Sequence, residues 1–444
     1  MDSPSVAVVV LDTLRKDAFD RYFEWVPGVA FENAYSTAHW TVPAHASLLT
    51  GKYPSEVGVH GKSRSFDCPD PSIVEVLHER GYTTRLWTAN PLMSKWEDWE
   101  RGFDHVRGSE RLHPYTDESL DWAAFHRSSE GGRLGTYLRA LPHALRSPES
   151  TVGSLREAAR QLRLEDGERG AEAVVERLDR TRFDDREFLL VNLMEAHTPH
   201  FPPKPYRSVD ERVNFKIGDA FAGLVTDPDR NRAVYDDSAM YLSAVYRGLF
   251  RRLRSEFDVV VTLSDHGELL GEYDLWNHGY GLYPELVRVP LAVWLDDRVE
   301  ADGADADPEE AVSLLDVPET LADLTGVELD TRGRNLLGDS DPVARLTEYQ
   351  GFLPWHREQF ESKGVAEVYE RFDTPLRGLV TADGRYVYET HEDGYRSPDG
   401  PVSPDDEERL ESLVSSVPER AVDDEGSDDV SSDVMGQLED LGYA

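Results

Sequence analysis

One short apolar run near the start of the chain limits most strongly what this sequence can fold into. Residues Val6–Leu11 are all apolar and mostly β-branched. Such a strand is typical of a parallel sheet that is covered on both faces. Because parallel strands need crossover connections, usually helices, the run predicts an α/β protein.

Further apolar strands alternate with helical patterns along the chain. We predict strands at Thr83–Thr88, 188–193, Val259–Leu263 and Leu291–Leu295. We predict helices at 71–81, 153–178 and 239–253. The alternation favours a mostly parallel central sheet flanked by helices, and in such sheets ligands bind at the carboxyl ends of the strands.

The length of 444 residues leaves room for one large domain and a smaller one. We predict that residues 1–337 form the large α/β domain, with insertions at about 108–150 and 205–235. The turn residues Asp383-Gly384 lie between two apolar stretches and predict a hairpin.

The hairpin predicts a small C-terminal α+β subdomain over residues 338–396. Residues 397–444 are acidic and rich in serine and proline, so we predict a partly disordered tail. The tail is expected to end in a short helix at about 434–443, which is apolar enough to dock.

The acidic composition excludes several classes of partner. With 86 acidic and 47 basic residues, the formal net charge is -39, which repels nucleic acid and anionic lipid. We interpret the surface as halophilic, since concentrated salt would screen the repulsion between the acids; an ordinary acidic protein is the alternative. Neither a signal peptide nor a membrane-spanning stretch is visible, and Cys68 is the only cysteine, so we expect a cytoplasmic protein.

Two strand ends carry side chains that could bind a metal ion. Asp12 directly follows the first strand, and Asp265-His266 follow the strand Val259–Leu263 after one serine. Carboxylates and imidazoles are common ligands of divalent cations. Taken alone, Asp12 could equally cap a turn or a helix. An adjacent aspartate and histidine at the tip of a buried strand are harder to explain by packing.

A threonine and a histidine mark two further candidate sites. Thr41 stands two residues before Pro43, and proline is favoured in the first turn of a helix. Thr41 is therefore expected near a helix N-terminus, where N–H groups favour anions; plain N-capping is the alternative. His197 follows the strand at 188–193 and could contact a substrate anion or serve only within its loop.

Together these segments resemble the sulfatase family of the alkaline phosphatase superfamily. The motifs in question are Asp12 after the opening strand, residues 41–54, Gly81-Tyr82, 102–104, the His197 loop, 264–268, 276–279, 283–290, 315–326 and 441–443. They run in the family's order along nearly the whole chain. The resemblance implies the alkaline phosphatase/sulfatase-like fold and the hydrolysis or transfer of a sulfate or phosphate ester.

The resemblance also implies that Thr41 occupies the position of the nucleophile. Sulfatases proper carry a cysteine or serine there that is converted to formylglycine, whereas a threonine cannot be converted. His45 stands where the family usually has an arginine, and Thr13 stands where sulfatases commonly have a second acid. His278 matches a position that often carries a substrate-binding lysine. These departures leave phosphate monoesters and diesters open beside sulfate esters.

Superfamily members with a threonine nucleophile include phosphodiesterases and phosphoglycerol transferases. Their resemblance to this chain implies one divalent metal ion, held by Asp12, Thr41, Asp265 and His266. Mn, Mg, Ca and Zn are all compatible with these ligands. A neutral hydroxyl is a poor nucleophile, and a metal lowers the pKa of a bound oxygen, from about 15.7 to about 7 for zinc-bound water.

Other residues are expected to handle the anion and the leaving group. His197 and His278 would bind the outer oxygens or protonate the leaving group, because histidine titrates near working pH. His45 would orient the nucleophile. Lys52 and Arg15 would add positive charge to the substrate site; the alternative is that both are ordinary surface charges.

A catalytically inactive, sulfatase-fold binding protein is the competing interpretation. The missing formylglycine residue favours it, whereas the retention of Asp12, Asp265 and His266 opposes it. For an enzyme we expect a small-molecule or glycan substrate with an anionic ester, and we expect neither nucleic acid binding nor membrane insertion.

Overall fold

The computed structural model of the protein describes residues 3–90, 92–108, 170–299, 306–338, 341–392 and 394–423. The insertion predicted at 108–150 and the C-terminal helix predicted at 434–443 therefore lie almost wholly outside the described residues. The same holds for most of the helix predicted at 153–178, of which the structure describes the part within Ala171–Arg180.

Seven strands of the described residues form the central sheet. In spatial order they are Val29–Phe31, Leu291–Leu295, Val259–Leu263, Val6–Leu11, Glu187–Leu193, Thr83–Thr88 and His105–Gly108. The strand Leu291–Leu295 runs antiparallel to both of its neighbours, and the other strands run in one direction. The predicted α/β fold with a mostly parallel sheet is confirmed.

Both faces of this sheet are covered, which explains the uninterrupted apolar run of its central strand. Val6, Val8 and Val10 pack into one hydrophobic cluster, and alternate residues such as Ala7 and Val9 pack into another. The helices of the first face are Thr41–Thr50, Ile73–Glu79 and Asp316–Thr325. Those of the second are Lys16–Tyr22, Ala171–Arg180 and Pro228–Glu256. Successive side chains point to opposite faces of a strand, so every side chain of Val6–Leu11 packs against helices on one face or the other.

Shorter elements connect these layers. The remaining described helices are Pro54–Val57, Leu92–Lys95, Ile217–Phe221, Pro284–Val287, His356–Ser362 and Ala366–Phe372, with 3₁₀ turns at Lys204–Tyr206 and Glu272–Asp274. Asn33–Tyr35 pairs with Ala311–Ser313, and Leu269–Leu270 pairs with Trp276–Asn277. No described helix is long and apolar enough to cross a membrane.

A second, antiparallel sheet lies in the C-terminal part of the chain. Its strands in spatial order are Arg345–Tyr349, Leu376–Val380, Tyr386–Thr390 and Gly394–Arg396. The hairpin predicted around Asp383-Gly384 is confirmed by the pairing of the second and third strands.

Of the tail predicted to be partly disordered, the structure describes residues 397–423. The helix Pro404–Ser416 packs Leu410 against Leu346 and Leu379 of the antiparallel sheet. One apolar stripe suffices to dock an otherwise acidic helix, and the side chain of Ser403 caps its start. Residues 205–235 likewise include the helix Ile217–Phe221 and the start of Pro228–Glu256. The domain boundaries stay predictions.

Candidate active site

Three of the predicted metal ligands meet at the carboxyl edge of the central sheet. Asp12 follows one central strand, and Asp265 and His266 follow the strand paired with it in parallel. One ligand atom from each of the three side chains lies within 4.8 Å of the others, and all three are buried. We call this group the acidic cluster. Parallel strands that end together bring these distant residues to one point.

Asp12 is an ionised carboxylate held by two amides. Asn90 Nδ2 donates to Asp12 Oδ2 at 2.9 Å, and Asn192 Nδ2 donates to the same oxygen at 3.0 Å. Burial acts to raise the pKa of Asp12, but His197, His266 and the two amides outweigh it and lower the pKa to about 2. The carboxylate therefore carries its negative charge inside the protein.

Asp265 is less completely satisfied. Its Oδ1 accepts hydrogen bonds from the backbone N–H groups of Thr13 at 3.2 Å and His266 at 3.0 Å. Its Oδ2 is buried and has no hydrogen-bond partner among the described residues. Burial and the negative charge of Asp12 both raise the pKa of Asp265. Two adjacent buried acids with an unsatisfied oxygen fit the binding of a cation.

His266 presents a defined ring nitrogen to this cluster. Its Nδ1 lies 2.9 Å from the carbonyl oxygen of Gly267, so Nδ1 carries the proton. Burial, followed by the proximity of His278, lowers the pKa of His266, and its Nε2 therefore carries a lone pair. A backbone carbonyl that fixes the tautomer in this way is typical of metal-binding histidines.

Thr41 begins the helix that brings the candidate nucleophile to the cluster. The helix spans Thr41–Thr50 and ends at Gly51, whose φ of 67° suits a glycine. Thr41 Oγ1 lies 3.3 Å from His266 Nε2, and Asn90 Nδ2 lies 3.4 Å from Thr41 Oγ1. One turn further, His45 Nδ1 donates to the Thr41 carbonyl at 2.9 Å and lies 3.6 Å from Asp265 Oδ2. His45 thus contacts the backbone of Thr41 rather than its hydroxyl.

Two further histidines surround His266. The ring centroid of His278 lies 4.6 Å from that of His266 and 5.0 Å from that of His197. His278 Nδ1 lies 3.1 Å from the carboxylate of Glu268, and His197 Nδ1 donates to the carbonyl of Thr198. The structure therefore brings Thr41, His197 and His278 together around the acidic cluster.

The two cations expected to bind substrate are both engaged with carboxylates, and Arg15 also donates to the Glu268 carbonyl at 2.9 Å. Arg15 donates to the carboxylates of Asp17 and Glu272, at 2.8 and 2.9 Å. Lys52 Nζ lies 2.9 Å from Asp330 and 3.0 Å from Asp70. Lys52 also follows the far end of the Thr41–Thr50 helix, about 15 Å from Thr41 at 1.5 Å per residue. That Lys52 and Arg15 contribute charge to the substrate site stays a prediction.

Sequence reasoning missed the amides and the carboxylate that support the site. Asn192 interrupts an otherwise apolar strand, Glu187–Leu193, just before its end, and this polar interruption was a usable signal. Asn90 follows the end of Thr83–Thr88 by two residues, which is the same position that drew attention to Asp12. Glu268 directly continues the Asp265-His266-Gly267 motif, but nothing local predicts its pairing with His278.

The fold and the site are those of an α/β protein with a polar cluster at the carboxyl edge of its sheet. Comparison with known proteins identifies the family. The sequence model of the Sulfatase family matches residues 19–327. The protein belongs to the sulfatase family, as its motifs predicted.

Individual relatives are distant. The chain is 24% identical over 311 residues to an ulvan-active sulfatase of Formosa agariphila, an alignment covering 65% of this chain and 52% of the relative. It is 26% identical over 294 residues to the low-salt glycan biosynthesis sulfotransferase Agl7 of Haloferax volcanii, covering 65% and 53%. The chain thus spans about half the length of these relatives.

A solved phosphonate monoester hydrolase from Silicibacter pomeroyi shares the fold. The two structures superpose with a TM-score of 0.61 at 17% sequence identity, and the match covers 93% of this chain and 94% of the hydrolase. The similarity confirms the predicted alkaline phosphatase/sulfatase-like architecture.

Proposed function

We propose that the protein is a metal-dependent hydrolase or transferase that acts on a sulfate or phosphate ester through Thr41. The observation that carries the proposal is the 3.3 Å distance between Thr41 Oγ1 and His266 Nε2, beside two buried carboxylates. A hydroxyl at a helix start, a site fit for a cation and two further histidines are the parts that ester cleavage by a covalent route requires. Membership of the sulfatase family supports the same class of reaction.

The donor set fits a divalent metal ion. Asp12, Asp265 and His266 would hold it, because their ligand atoms converge and Asp265 Oδ2 has no hydrogen-bond partner among the described residues. A bound cation would supply positive charge that offsets the carboxylates and attracts the anionic ester. Two carboxylates and one imidazole suit Mn, Mg, Ca or Zn, so the identity of the metal stays a prediction.

Thr41 provides the covalent step. Its oxygen forms a bond to the sulfur or phosphorus atom, the bond from that atom to the alcohol oxygen breaks, and the departing alcohol gains the proton that Thr41 loses. Asn90 Nδ2, 3.4 Å from Thr41 Oγ1 and anchored by its 2.9 Å hydrogen bond to Asp12, would orient the hydroxyl. Asn90 Oδ1 accepts from the Leu92 N–H at 3.0 Å, which keeps the NH₂ group turned towards the site.

His197 and His278 are placed to contact the ester's outer oxygens and the leaving group. Their rings lie 5.0 Å apart, and the His278 ring is also next to His266. Either imidazole would act as the general acid that delivers a proton to the departing alcohol oxygen.

Release of the threonine ester requires a second nucleophile. A sulfuryl or phosphoryl group on Thr41 leaves when water or an acceptor alcohol attacks it and the Thr41 oxygen regains a proton. The chain's similarity to a sulfotransferase supports an alcohol acceptor beside water. Hydrolysis and transfer therefore share the first step and differ in the second.

The nucleophile is tested by replacing Thr41 in the full-length protein. We expect Thr41→Ala to lose at least about 1,000-fold in kcat while still binding one divalent ion per chain, and Thr41→Ser to retain part of the activity. Turnover is measured in molar KCl with 4-nitrophenyl sulfate, 4-nitrophenyl phosphate and bis(4-nitrophenyl) phosphate, each with Mn, Mg, Ca and Zn. Full activity of Thr41→Ala would exclude Thr41 as the nucleophile.

We also propose that the protein works in the salt-rich cytoplasm of a halophile. The net charge of -39 implies strong repulsion that shrinks as the Debye length falls from about 10 Å at 0.1 M to about 3 Å at 1 M salt. We expect the melting temperature to rise clearly between dilute buffer and molar KCl. Equal melting temperatures in both conditions would contradict the halophilic interpretation.

A further inference from the structure

The turn that presents Asp12 carries a strained residue. The Leu14 N–H donates to the Leu11 carbonyl at 3.1 Å, so residues 11–14 form a β-turn in which Thr13 is the third residue. Thr13 is buried and has a φ of 63°. A positive φ at the third position of a turn favours glycine or asparagine, because a β-branched side chain is strained there. The chain therefore has a threonine where the backbone alone would favour a glycine.

Thr13 contacts both carboxylates of the acidic cluster. Its hydroxyl donates to Asp12 Oδ1 at 2.8 Å, and its backbone N–H donates to Asp265 Oδ1 at 3.2 Å. Asp12 Oδ1 is also the oxygen that lies 3.9 Å from His266 Nε2. Because a carboxylate oxygen has two lone pairs, the hydrogen bond from Thr13 leaves one for a cation. A single residue thus restrains the rotation of both acids.

A buried phenol holds Thr13 in this conformation. Tyr235 lies on the helix Pro228–Glu256, and its hydroxyl donates to the Thr13 carbonyl at 3.0 Å. The same oxygen accepts from the Arg15 N–H at 2.9 Å. Burial raises the pKa of Tyr235, so the phenol keeps the proton that it donates. Tyr235 therefore ties the turn to the helical layer on the second face of the sheet.

The turn of Asp12 is also tied to the turn that carries the other two ligands. Ser264 Oγ accepts from the Leu14 N–H at 3.0 Å and donates to the His266 carbonyl at 2.7 Å. The hydrogen bond from the Thr13 N–H to Asp265 lies beside this connection. The protein's own groups therefore set the spacing of the two turns that carry the ligands.

A purely structural role does not explain why this residue is a threonine. A glycine would relieve the strain at a φ of 63° and would keep the N–H that reaches Asp265 and the carbonyl that accepts from Tyr235. It would lack only the side chain, whose hydroxyl reaches Asp12. Strained residues cluster at functional sites, where surrounding groups hold them in place. The hydroxyl is therefore the part of Thr13 that the strained position provides.

We propose that Thr13 and Tyr235 are positioning residues that preform the cation site. Tyr235 holds Thr13 in its left-handed conformation, and Thr13 holds one oxygen of each acid. Asp12 Oδ1 and Asp265 Oδ2 are thereby kept at 3.9 and 3.6 Å from His266 Nε2. The inference rests on the proposed function, because it concerns the affinity of the proposed metal site.

The physical reason is the repulsion between two neighbouring buried carboxylates. Their negative charges act to separate the acids in a site with little solvent to screen them. Thr13 donates to both acids and carries no charge, so it offsets the repulsion without competing with a cation for the site. A cation that enters a preformed site loses less free energy to the ordering of its ligands.

The first test measures ion affinity in full-length variants in molar KCl. Mn²⁺ and Zn²⁺ are titrated separately by calorimetry, and the ion that the wild type binds more tightly is used for every variant. Thr13→Val keeps the branched shape without the hydroxyl and should weaken binding at least about tenfold, whereas Thr13→Ser should stay within about threefold of the wild type. Equal affinities of Thr13→Val and the wild type would remove the assignment of Thr13.

The second test removes the phenol that holds Thr13. Tyr235→Phe should weaken binding of the same ion by about three- to tenfold. Tyr246→Phe is the matched control, because Tyr246 is buried on the same helix and its hydroxyl contacts Thr262 Oγ1 at 2.5 Å, three residues before Asp265. The control should lose stability but keep its ion affinity within about twofold. No loss of affinity in Tyr235→Phe, or an equal loss in the control, would contradict the role of Tyr235.

A double variant shows whether Tyr235 acts through Thr13. The loss of ion affinity caused by Tyr235→Phe should be smaller in the Thr13→Val background than in the wild type, because the hydroxyl that the phenol positions is already missing. Strictly additive losses would disprove the link between the two residues. If Thr13→Val did not fold, Thr13→Gly would replace it, since it also lacks the hydroxyl and suits the positive φ.

The two proposals can fail separately. A wild type that binds the ion but cleaves no ester, with affinity lost in Thr13→Val, would overturn the proposed function and leave the positioning role in place. Ester cleavage by the wild type, with unchanged ion affinity in Thr13→Val, would overturn this inference and leave the function. A wild type that binds neither ion would overturn both, because the positioning role concerns that site.

Discussion

Asp316 and Asp265 are both fully buried carboxylates, but among the described residues only Asp316 is paired with an arginine. Oδ2 of Asp316 accepts from the Ser313 N–H at 2.7 Å, and Oδ1 accepts from the Arg334 N–H at 3.0 Å and from the guanidinium of Arg345. Burial raises the pKa of Asp316, and the positive charge of Arg345 acts in the opposite direction. Every oxygen of this carboxylate has a partner within the fold.

Asp265 lacks such a set of partners. Only its Oδ1 accepts hydrogen bonds that the structure describes, and its neighbour is a second carboxylate, Asp12, whose charge adds to the effect of burial in raising the pKa of Asp265. A buried polar oxygen without a hydrogen bond destabilises the folded state. The comparison teaches that one buried acid is part of an ion pair, whereas the other keeps an oxygen without a hydrogen-bond partner among the described residues, as the proposed metal ligand requires.

The largest effect on activity is expected for Asp265→Asn, which replaces the carboxylate whose Oδ2 has no hydrogen-bond partner among the described residues. Activity should fall at least about 1,000-fold, since a metal ligand and its charge are lost. In the wild type a metal present at 100 times its Kd should stabilise the fold by about 2.7 kcal/mol, and chelation should remove this gain. The measurements are kcat and urea unfolding with and without a chelator.

The variant itself provides the control for metal binding. Asp265→Asn without metal should be at least as stable as the metal-free wild type, because the repulsion with Asp12 is relieved. If metal stabilised the variant as much as the wild type, Asp265 would not be a ligand and the contrast with Asp316 would lose its meaning.

A smaller effect, on stability rather than on activity, is expected for Arg345→Met. This variant would leave Asp316, like Asp265, without an arginine partner. Leaving a buried charge without its partner should cost about 3–5 kcal/mol of unfolding free energy. The measurement is the urea midpoint, and the double variant Arg345→Met with Asp316→Leu should recover part of the loss. Metal binding by the folded fraction should stay normal, and an unchanged midpoint in Arg345→Met would show that the pair is not structural.

The smallest effect on stability is expected for Lys52→Met. Lys52 forms ion pairs with Asp70 and Asp330 at the surface. The carboxylate of Asp330 has 90% of its side chain exposed, so solvent screens the interaction and the loss should stay below about 1 kcal/mol. Turnover should remain within about twofold, because Lys52 lies far from Thr41. A large rise in KM would instead return Lys52 to the substrate site.

Much of the site could be predicted because strand ends can be recognised locally. Apolar runs predicted the strands that precede Asp12 and Asp265, and parallel strands that end together made their meeting predictable. Pro43 similarly predicted the helix start at Thr41. The roles of these residues as ligands and nucleophile stay predictions.

The partners of Arg15 and Lys52 could not be predicted, because distant segments of the chain supply them. Arg15 pairs with Glu272, and Lys52 with Asp330, each more than 200 positions away along the chain. The partners of Asn192 and Glu268 escaped prediction for the same reason, since the local pattern does not say that their hydrogen bonds go to residues 12 and 278.

The amino-acid sequence by itself determined the central sheet and the family, because strand composition and the order of motifs are properties of short segments. The tertiary structure alone decided that Asp316 is paired with an arginine and that Asp265 keeps an oxygen without a hydrogen-bond partner among the described residues. The physical reason is that the energy of a buried charge depends on groups within a few ångströms, and here those groups come from strands, loops and helices that only folding brings together.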